Sequence, residues 1–303
     1  METPQKHLIV VAGPTASGKT GLGVALAKHF DTIVLSADSR QFYREMAIGT
    51  AKPTTEEMAG VPHLFVDSHS ILDPYSAGQY ELDALAELER IFSDRDVAVM
   101  VGGSGLYINA VCNGMDDFIE VPAEVRDALN QELEANGLEA LLSELEANDP
   151  VYFAEVDRQN PRRIVRALEV IRSSGQPYSS FRKKDVAKRP FLIHKLGLHW
   201  EREALYERIN LRVDQMMAAG LVEEVRGLQG HQALSALQTV GYSELFEHLA
   251  GNGTLEEAVE RIKMNTRRYA KRQGTWFRRD EDLNWIEQPF LESALELLQQ
   301  RMD

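Results

Sequence analysis

The first third of the chain alternates between short apolar runs and segments with helical periodicity. The runs are nearly continuous, which is typical of parallel strands buried on both faces. They occupy residues 8–12, 32–37, 63–66 and 97–101. Between the last two runs, apolar side chains recur every three or four residues and predict a helix over residues 76–93 with one apolar face. The side chains of that face are Leu82, Leu85, Leu88 and Phe92. This pattern predicts an α/β core with a parallel sheet.

After about residue 113 the strand pattern gives way to helical patterns. Residues 160–175 predict a helix, because Pro161 suits its first position and Gly175 its end. A further apolar run at residues 191–200 predicts a strand that returns the chain to the sheet. Amphipathic helices are expected from there to about residue 279, separated by glycines.

A phosphate-binding loop follows the first apolar run. Gly13, Gly18, Lys19 and Thr20 fill the fixed positions of the pattern G-x-x-x-x-G-K-[ST], with a strand before them and a helix after. Such a loop directs successive backbone N–H groups and a helix N-terminus at phosphate oxygens, and the Thr20 hydroxyl suits Mg²⁺. The candidate diphosphate-binding residues are Gly13, Pro14, Thr15, Ala16, Ser17, Gly18, Lys19 and Thr20. The loop alone leaves the ligand open, since kinases, ATPases and GTPases all use it.

These patterns predict an α/β fold with a P-loop core and a parallel sheet, a helical insertion domain and a helical C-terminal part. We expect residues 1–113 and 190–303 to form the catalytic core with its C-terminal helices. Residues 114–189 are expected to form the helical insertion domain.

Two further segments lie where parallel strands should end, at the ligand edge of an open α/β sheet. Asp38 follows the second apolar run and suits three roles: Mg²⁺ ligand, general base or helix N-cap. Gly102-Gly103 follows the fourth run, which fits either close approach to a bound group or an ordinary tight turn. This strand does not end in the acid that holds Mg²⁺ in many P-loop phosphoryl-transfer enzymes. With no Asn-Lys-x-Asp element either, a small-molecule kinase remains as a candidate, but a GTPase or motor ATPase is disfavoured.

Charge indicates a large polyanionic partner. The net charge is −14, yet three basic windows at residues 158–166, 182–189 and 261–279 hold more than half of the 33 lysines and arginines. The third window interleaves aromatic and basic residues, which suits nucleic acid, although solvated helix faces would give the same composition. From this window we expect Arg267, Arg268 and Lys271 to contact RNA. Arg208 and Arg212 lie four residues apart, so they are either a solvated pair or a pair that converges on phosphate.

Composition limits the remaining classes. No apolar run approaches the roughly 20 residues that cross a bilayer, and the start of the chain lacks the pattern of a signal peptide, so we expect a cytoplasmic protein without membrane contact. The one cysteine, Cys112, is expected to pack as a small hydrophobe. The eight histidines show no ligand spacing, so we expect no zinc site.

Taken together, the motifs resemble the bacterial tRNA dimethylallyltransferases, also called tRNA isopentenyltransferases. The resemblance extends over nearly the whole chain, and the order of its motifs is specific to that family. The motifs are GPTASGKT (13–20), DSRQFY (38–43), IGTAKP (48–53), GGSGLY (102–107), NPRRIVRALEV (160–170), QTVGY (238–242) and TRRYAKRQGTWFR (266–278).

The resemblance implies transfer of a dimethylallyl group from its diphosphate to N6 of the adenosine immediately 3′ of the anticodon. It implies Mg²⁺ as cofactor, the tRNA anticodon stem-loop and dimethylallyl diphosphate as partners, and a mobile helical insertion. A P-loop kinase of a nucleoside or small metabolite is the alternative function. We also expect a monomer.

By the same resemblance, Thr15, Lys19 and Thr20 would hold the diphosphate and the metal, with Thr20 on the metal. Asp38 would be the base near N6, and Arg212, or else Arg208, would meet the leaving diphosphate. The residues implied to contact tRNA are Asp38, Ser39, Arg40, Gln41, Ser104, Arg126, Arg162, Arg163, Ile164, Val165, Arg166, Gln238, Thr239, Val240, Gly241, Tyr242 and Ser243.

Overall fold

A computed structural model describes residues 5–73, 75–115, 121–182 and 186–302. Within these residues one parallel sheet contains six strands in the order β3-β2-β4-β1-β5-β6. The strands are β1 (His7–Ala12), β2 (Val34–Ser36), β3 (His63–Leu64), β4 (Val97–Gly102), β5 (Leu192–Leu198) and β6 (Leu283–Ile286). The predicted α/β fold with a parallel sheet is confirmed.

The helices of the described residues precede, follow or connect the strands along the chain. They are α1 (Lys19–His29), α2 (Thr55–Met58), α3 (Ala77–Asp94), α4 (Gly105–Asn113), α5 (Ala123–Asn136), α6 (Leu138–Asn148), α7 (Pro150–Glu155), α8 (Pro161–Ser174), α9 (Arg202–Ala218), α10 (Leu221–Gly227), α11 (Tyr242–Leu249), α12 (Leu255–Phe277) and α13 (Phe290–Met302). No helix within the described residues combines the length and the apolar character that a membrane span requires.

The core lies on both faces of the sheet, which is why the central strands β1 and β4 are almost entirely apolar. Alternate residues of β1 belong to two different clusters, Leu8 and Val10 on one face and Ile9 and Val11 on the other. On the first face they pack with Tyr80 and other residues of α3, and on the second with residues of α1 and α13. All four β1 side chains are fully buried.

The strand register brings three loops to one edge of the sheet. Ala12, the last residue of β1, pairs with Gly102, the last residue of β4. Ser36, the last residue of β2, pairs with Val101 one position earlier. Because parallel strands end at a common edge, the segments after β1, β2 and β4 begin side by side.

The chain divides into two compact units. One comprises residues 1–112 and 188–303 and contains the sheet. The other comprises residues 113–187, and its helices α5 to α8 surround a core of their own. That core includes Leu129, Leu141, Leu145, Tyr152, Ile164 and Leu168.

Several local predictions need correction or qualification. Leu82 is 63% exposed, because α3 turns Ala77, Tyr80, Ala84, Leu88 and Ile91 toward the sheet instead. β6 was not expected from the apolar pattern. Residues 183–185 of the second basic window lie outside the described residues. Cys112 is buried, as expected for a cysteine that packs as a small hydrophobe. Burial raises the pKa of its thiol to about 12.

Candidate active site

The phosphate loop joins the end of β1 to the start of α1. Gly13, Ala16 and Gly18 adopt positive φ angles of 152°, 64° and 91°. The loop closes on itself where the Nζ atom of Lys19 donates a hydrogen bond to the carbonyl of Pro14 at 2.7 Å. The backbone N–H groups at the start of α1 have no partners within the helix and form its positive end. This geometry is that of an anion cradle.

Three cationic side chains converge on this loop: Lys19, Arg208 and Arg212. The Nε atom of Arg208 donates to the carbonyl of Ala16 at 2.8 Å, and its guanidinium lies over the Trp200 ring at 4.4 Å. Burial, with the charge of Arg212 added to it, lowers the pKa of Lys19 to about 8. Burial also lowers the pKa of Arg212, and the charge of Arg208 contributes. Like charges held this close favour the binding of an anion.

Asp38 lies beside these cations. Its negative charge acts on Lys19 and Arg212, and it partly opposes the lowering of the pKa of both side chains. Its Oδ1 atom accepts a hydrogen bond from the backbone N–H of Arg40 at 3.0 Å. This bond caps a turn and not a helix, since the next helix among the described residues begins at Thr55. The roles of base and metal ligand stay predictions.

The turn after β4 is filled by protein. A Cβ atom added at Gly102 would collide with the carbonyl of Ala37, and one added at Gly103 would lie 2.5 Å from the Nε2 atom of Gln273. Real Cβ atoms essentially never approach other atoms within 3.0 Å. Glycine is therefore needed at both positions to admit neighbouring protein groups, and of the two sequence alternatives a packed turn fits better than approach to a ligand.

Ser104, in the same turn, joins the end of β2 to α12. Its Oγ atom accepts a hydrogen bond from the backbone N–H of Ser39 at 2.9 Å. Ser104 also forms a hydrogen bond with the Tyr269 hydroxyl. Burial and the nearby Asp38 raise the pKa of Tyr269 to about 12, so this phenol stays neutral. The predicted RNA contact at Ser104 therefore lies inside a network that already uses its hydroxyl.

The structure brings together two segments that were predicted to contact RNA, residues 38–41 and 238–243. The Nη2 atom of Arg40 donates to the carbonyl of Ser235 at 3.2 Å, just before the second segment. The side-chain amide of Gln41 is occupied within the protein, since its Nε2 atom donates to two carbonyls at residues 50 and 51. In the second segment, Gln238 is exposed, Thr239, Val240 and Ser243 are partly exposed, and Gly241 is buried.

Tyr242, another residue predicted to contact RNA, has a fully buried side chain. Its hydroxyl donates to the carboxylate of Glu224 at 2.6 Å, and its ring lies against Gly49. The same carboxylate accepts three backbone N–H groups of residues 47–49 at 2.7–3.0 Å. Tyr242 and Glu224 thus hold the loop after Asp38 in place.

In the helical unit, one buried carboxylate orients two of the predicted RNA-binding arginines. Glu169 is 4% exposed and accepts from the Nε atom of Arg126 at 2.7 Å and from the Nη1 atom of Arg166 at 3.1 Å. The side chains of Ile164 and Val165, also predicted to contact RNA, are buried in the core of this unit. Two further predicted arginines of α8, Arg162 and Arg163, are exposed.

The outward face of α12 forms an open cationic groove of about 430 Å³. It is lined by Arg268, Lys271, Arg272, Thr275, Trp276 and Arg279. Two of the three basic residues predicted here to contact RNA therefore line this groove. The third, Arg267, donates to the side chain of Asn210 in α9 at 2.6 Å and is partly buried.

Sequence reasoning missed three residues that shape the site: Trp200, Glu224 and Gln273. The Nε1 atom of Trp200 donates to the carbonyl of Ser17 at 2.9 Å, which braces the phosphate loop. For Gln273 a signal was available, since it lies four residues after Tyr269 and so on the same face of the helix. Trp200 and Glu224 meet their partners through contacts distant in the chain, which periodicity does not show.

The oxygen atoms at the phosphate loop suit a metal ion that is bound partly by the protein and partly by a phosphate ligand. Among the described residues there is no group of three or more His, Cys, Asp and Glu side chains that could hold a metal alone. Mg²⁺ is commonly bound by one or two protein oxygens together with substrate phosphates and water. Thr20, the second residue of α1, offers such an oxygen at the phosphate loop.

Comparisons with known proteins agree with this geometry. The family model described as IPP transferase matches residues 41–280. A tRNA dimethylallyltransferase of Christiangramia forsetii is 49% identical over 281 residues, 93% of each chain. The crystal structure of a full-length tRNA isopentenylpyrophosphate transferase from Bacillus halodurans superposes with a TM-score of 0.72 at 36% identity, covering 98% of this chain and 97% of that one.

A eukaryotic dimethylallyltransferase acting on tRNA has a similar structure at 26% identity, with a TM-score of 0.79. That match covers 93% of this chain and 74% of the other. Both the family model and the relatives span most of the sequence, and they agree on one activity. The chain therefore belongs to the IPP transferase family, the family of the tRNA dimethylallyltransferases.

Proposed function

We propose that this member of the family transfers the dimethylallyl group of dimethylallyl diphosphate to N6 of the adenosine immediately 3′ of a tRNA anticodon, releasing diphosphate. The observation that carries the proposal is a phosphate loop, three cations and one carboxylate at a single edge of the sheet. The loop by itself would serve a P-loop kinase equally well. The relatives, named as tRNA dimethylallyltransferases, favour prenyl transfer over that alternative.

In this proposal the diphosphate occupies the cradle formed by residues 13–20. As the bond between the allylic carbon and the diphosphate oxygen breaks, the electron pair stays on the diphosphate. The loop N–H groups, Lys19 and Arg212 stabilise that charge. Arg212 suits this role better than Arg208, because the Nε–H of Arg208 is bound to the carbonyl of Ala16 and its guanidinium lies over the Trp200 ring. Thr15, which belongs to the same loop, holds the diphosphate with its hydroxyl.

Asp38 is the proposed base. The exocyclic amine of adenine is a weak nucleophile, so its proton must leave as the new bond between nitrogen and carbon forms. One carboxylate oxygen of Asp38 is held by Arg40, which fixes the orientation of the group. The proton from N6 passes to this carboxylate. Because Asp38 lies beside Lys19 and Arg212, the base is next to the leaving group.

Mg²⁺ is the proposed cofactor. When bound, it would add positive charge to the diphosphate and lower the cost of its departure. Thr20 would hold it through its hydroxyl, with diphosphate oxygens and water as the other ligands. The binding of the donor and of the metal are then coupled through the same residues of α1.

The proposed RNA partner is the anticodon stem-loop of tRNA. A base stacked in that loop cannot reach a carbon held at the edge of the sheet, so it must be flipped out while the protein grips the backbone. The groove of α12 supplies Arg268 and Lys271, and Trp276 offers a surface on which a base can stack. The arginines held by Glu169 in the helical unit offer further phosphate contacts.

One experiment separates prenyl transfer from the kinase alternative. The purified protein is mixed with unmodified tRNA, Mg²⁺ and either radiolabelled dimethylallyl diphosphate or γ-labelled ATP. We expect label to enter tRNA only from the prenyl donor, and Asp38→Asn to abolish this while retaining diphosphate binding. Transfer of phosphate from ATP would overturn the proposal. Full turnover by Asp38→Asn would remove Asp38 as the base.

A further inference from the structure

Gln273 bridges the phosphate loop and the turn after β4. The residue is only 7% exposed. Its Oε1 atom accepts a hydrogen bond from the backbone N–H of Thr15 at 2.9 Å, and its Nε2 atom donates to the carbonyl of Gly103 at 2.9 Å. These partners determine the orientation of the amide, because an N–H group must face the oxygen and a carbonyl must face the NH₂ group.

The bond to Thr15 acts on the geometry of the phosphate loop. It fixes the peptide plane before Thr15, and therefore the direction in which the Cα–Cβ bond of Thr15 leaves the backbone. That residue follows Pro14, whose carbonyl is held by Lys19 from the other side. The N–H of Thr15 is thus bound to protein, while other N–H groups of the loop remain for an anion.

The bond to Gly103 connects the same amide to the strand beside β1. A side chain at position 103 would displace the amide, since its Cβ atom would lie 2.5 Å from the Nε2 atom. Tyr269, one helical turn earlier, bonds to Ser104 in this turn. The inner face of α12 is therefore attached to the phosphate loop and to the β4 turn at adjacent points, while its outer face forms the cationic groove.

We propose that Gln273 is a positioning residue for the transfer reaction, which holds Thr15 in the orientation that the departing diphosphate requires. The proposal rests on the proposed function. Gln273 acts through Thr15 and touches no substrate, so its loss affects the reacting geometry more than the binding of RNA. It also connects the RNA-facing helix to the loop that holds the donor.

Two substitutions test this role. Gln273→Met keeps the length of the side chain but loses both hydrogen bonds, and we expect kcat to fall about 100-fold, the effect of a small misplacement of reacting groups, with the KM for tRNA unchanged. In its protonated form the carboxyl of Gln273→Glu accepts from the N–H of Thr15 and donates to the carbonyl of Gly103, so this variant should restore part of the kcat lost in Gln273→Met.

Thr32→Val is the matched control. The hydroxyl of Thr32 is buried and donates to the carbonyl of Val97 at 2.6 Å, in a part of the sheet unit outside the phosphate loop. Its removal costs a comparable buried hydrogen bond, so it should lower thermal stability and leave kcat per folded molecule unchanged. Hydrogen exchange of residues 13–18 gives a readout independent of the reaction, and it should rise in Gln273→Met but not in Thr32→Val.

Three results would overturn the proposal. Gln273→Met could retain the wild-type kcat, or its loss could equal the loss of folded protein, as in Thr32→Val. Gln273→Glu could be as inactive as Gln273→Met while the exchange of the loop is normal in both. A wild-type protein that transfers no prenyl group would instead overturn the proposed function, and the catalytic part of this proposal with it.

Discussion

Two glycine-containing loops lie side by side at the carboxyl edge of the sheet, and they use glycine for different reasons. In the phosphate loop, Gly18 has a φ angle of 91°, and a Cβ atom there would meet nothing closer than Arg208 at 3.8 Å. In the turn after β4, Gly102 and Gly103 have no such φ angle, yet added Cβ atoms would collide with Ala37 and Gln273. The first loop needs glycine for its conformation and the second for its packing.

Two loops with similar sequence patterns can therefore have different functions. Both loops follow a buried parallel strand, and Ala12 and Gly102 are directly paired, so position in the fold does not distinguish them. What distinguishes them is the space beside the backbone, which is open to an anion in one and filled by protein in the other. Substitutions in the phosphate loop should therefore reduce activity, and substitutions in the turn should reduce stability.

The largest expected effect concerns Lys19 in the phosphate loop. Lys19→Met removes a charge that stabilises the leaving diphosphate, and we expect kcat/KM for the prenyl donor to fall about 10²–10³-fold, as for the loss of one donor to a developing anion. Because burial lowers the pKa of Lys19 to about 8, its charge is poorly solvated and its removal should not destabilise the fold. Steady-state prenyl transfer and thermal unfolding measure the two effects.

The control for Lys19→Met is Lys28→Met, in the last turn of the same helix and away from the loop. It should leave kcat/KM unchanged. A drop in the unfolding temperature of Lys19→Met that matches its loss of activity would show that the phosphate loop is also a structural element. That result would break the contrast between the two loops.

The second prediction concerns Gly102→Ala in the turn. The added methyl group would collide with the backbone carbonyl of Ala37, which cannot move without disturbing β2, and we expect a loss of about 1–3 kcal/mol in the free energy of unfolding. Chemical denaturation measures this loss. Gly227→Ala, at the end of α10, is the matched control because its Cβ atom would enter open space, and its effect should stay within about 0.5 kcal/mol.

A different result for Gly102→Ala would change the interpretation of this turn. If the variant unfolds like the wild type but binds the prenyl donor weakly, the turn is part of the donor site. The packing around Ala37 would then be a way to shape that site, and not the reason for the glycine.

The sequence predicted the elements whose signal is local. The phosphate loop, the strands around it and the position of Asp38 all follow from short patterns of apolar and glycine residues, and the structure has them where they were expected. The cationic face of α12 was also visible, since its arginines and Trp276 recur within one helix. These features depend on residues that are neighbours in the chain.

The sequence did not predict features in which distant residues meet. The exposure of Leu82 follows from how α3 rests on the sheet, which periodicity alone does not determine. Tyr242 ends the segment QTVGY, and only its bond to Glu224 and its contact with Gly49 show that it is a core residue. Gln273 likewise acts across more than 250 positions, as the sequence separation of 258 to Thr15 shows.

The smallest predicted effect concerns two histidines near the opposite edge of the sheet, away from the two glycine-containing loops. His7, the first residue of β1, and His194, the third residue of the adjacent β5, form a buried pair with Nδ1 and Nε2 3.0 Å apart. Burial lowers the pKa of both below the usual 6.5. Asp96 partly opposes this at His7, while His7 and then Arg301 add to it at His194. Below that pH the unfolded chain takes up protons that the folded pair resists, so stability should fall as the pH falls.

The measurement is the unfolding temperature between about pH 7.5 and about pH 5.5, the range in which histidine titrates. His194→Gln should flatten the decline, because one of the two resisting rings is gone, whereas His231→Gln changes an exposed ring and should leave it as steep as in the wild type. Equal slopes in all three proteins would exclude the pair as the source.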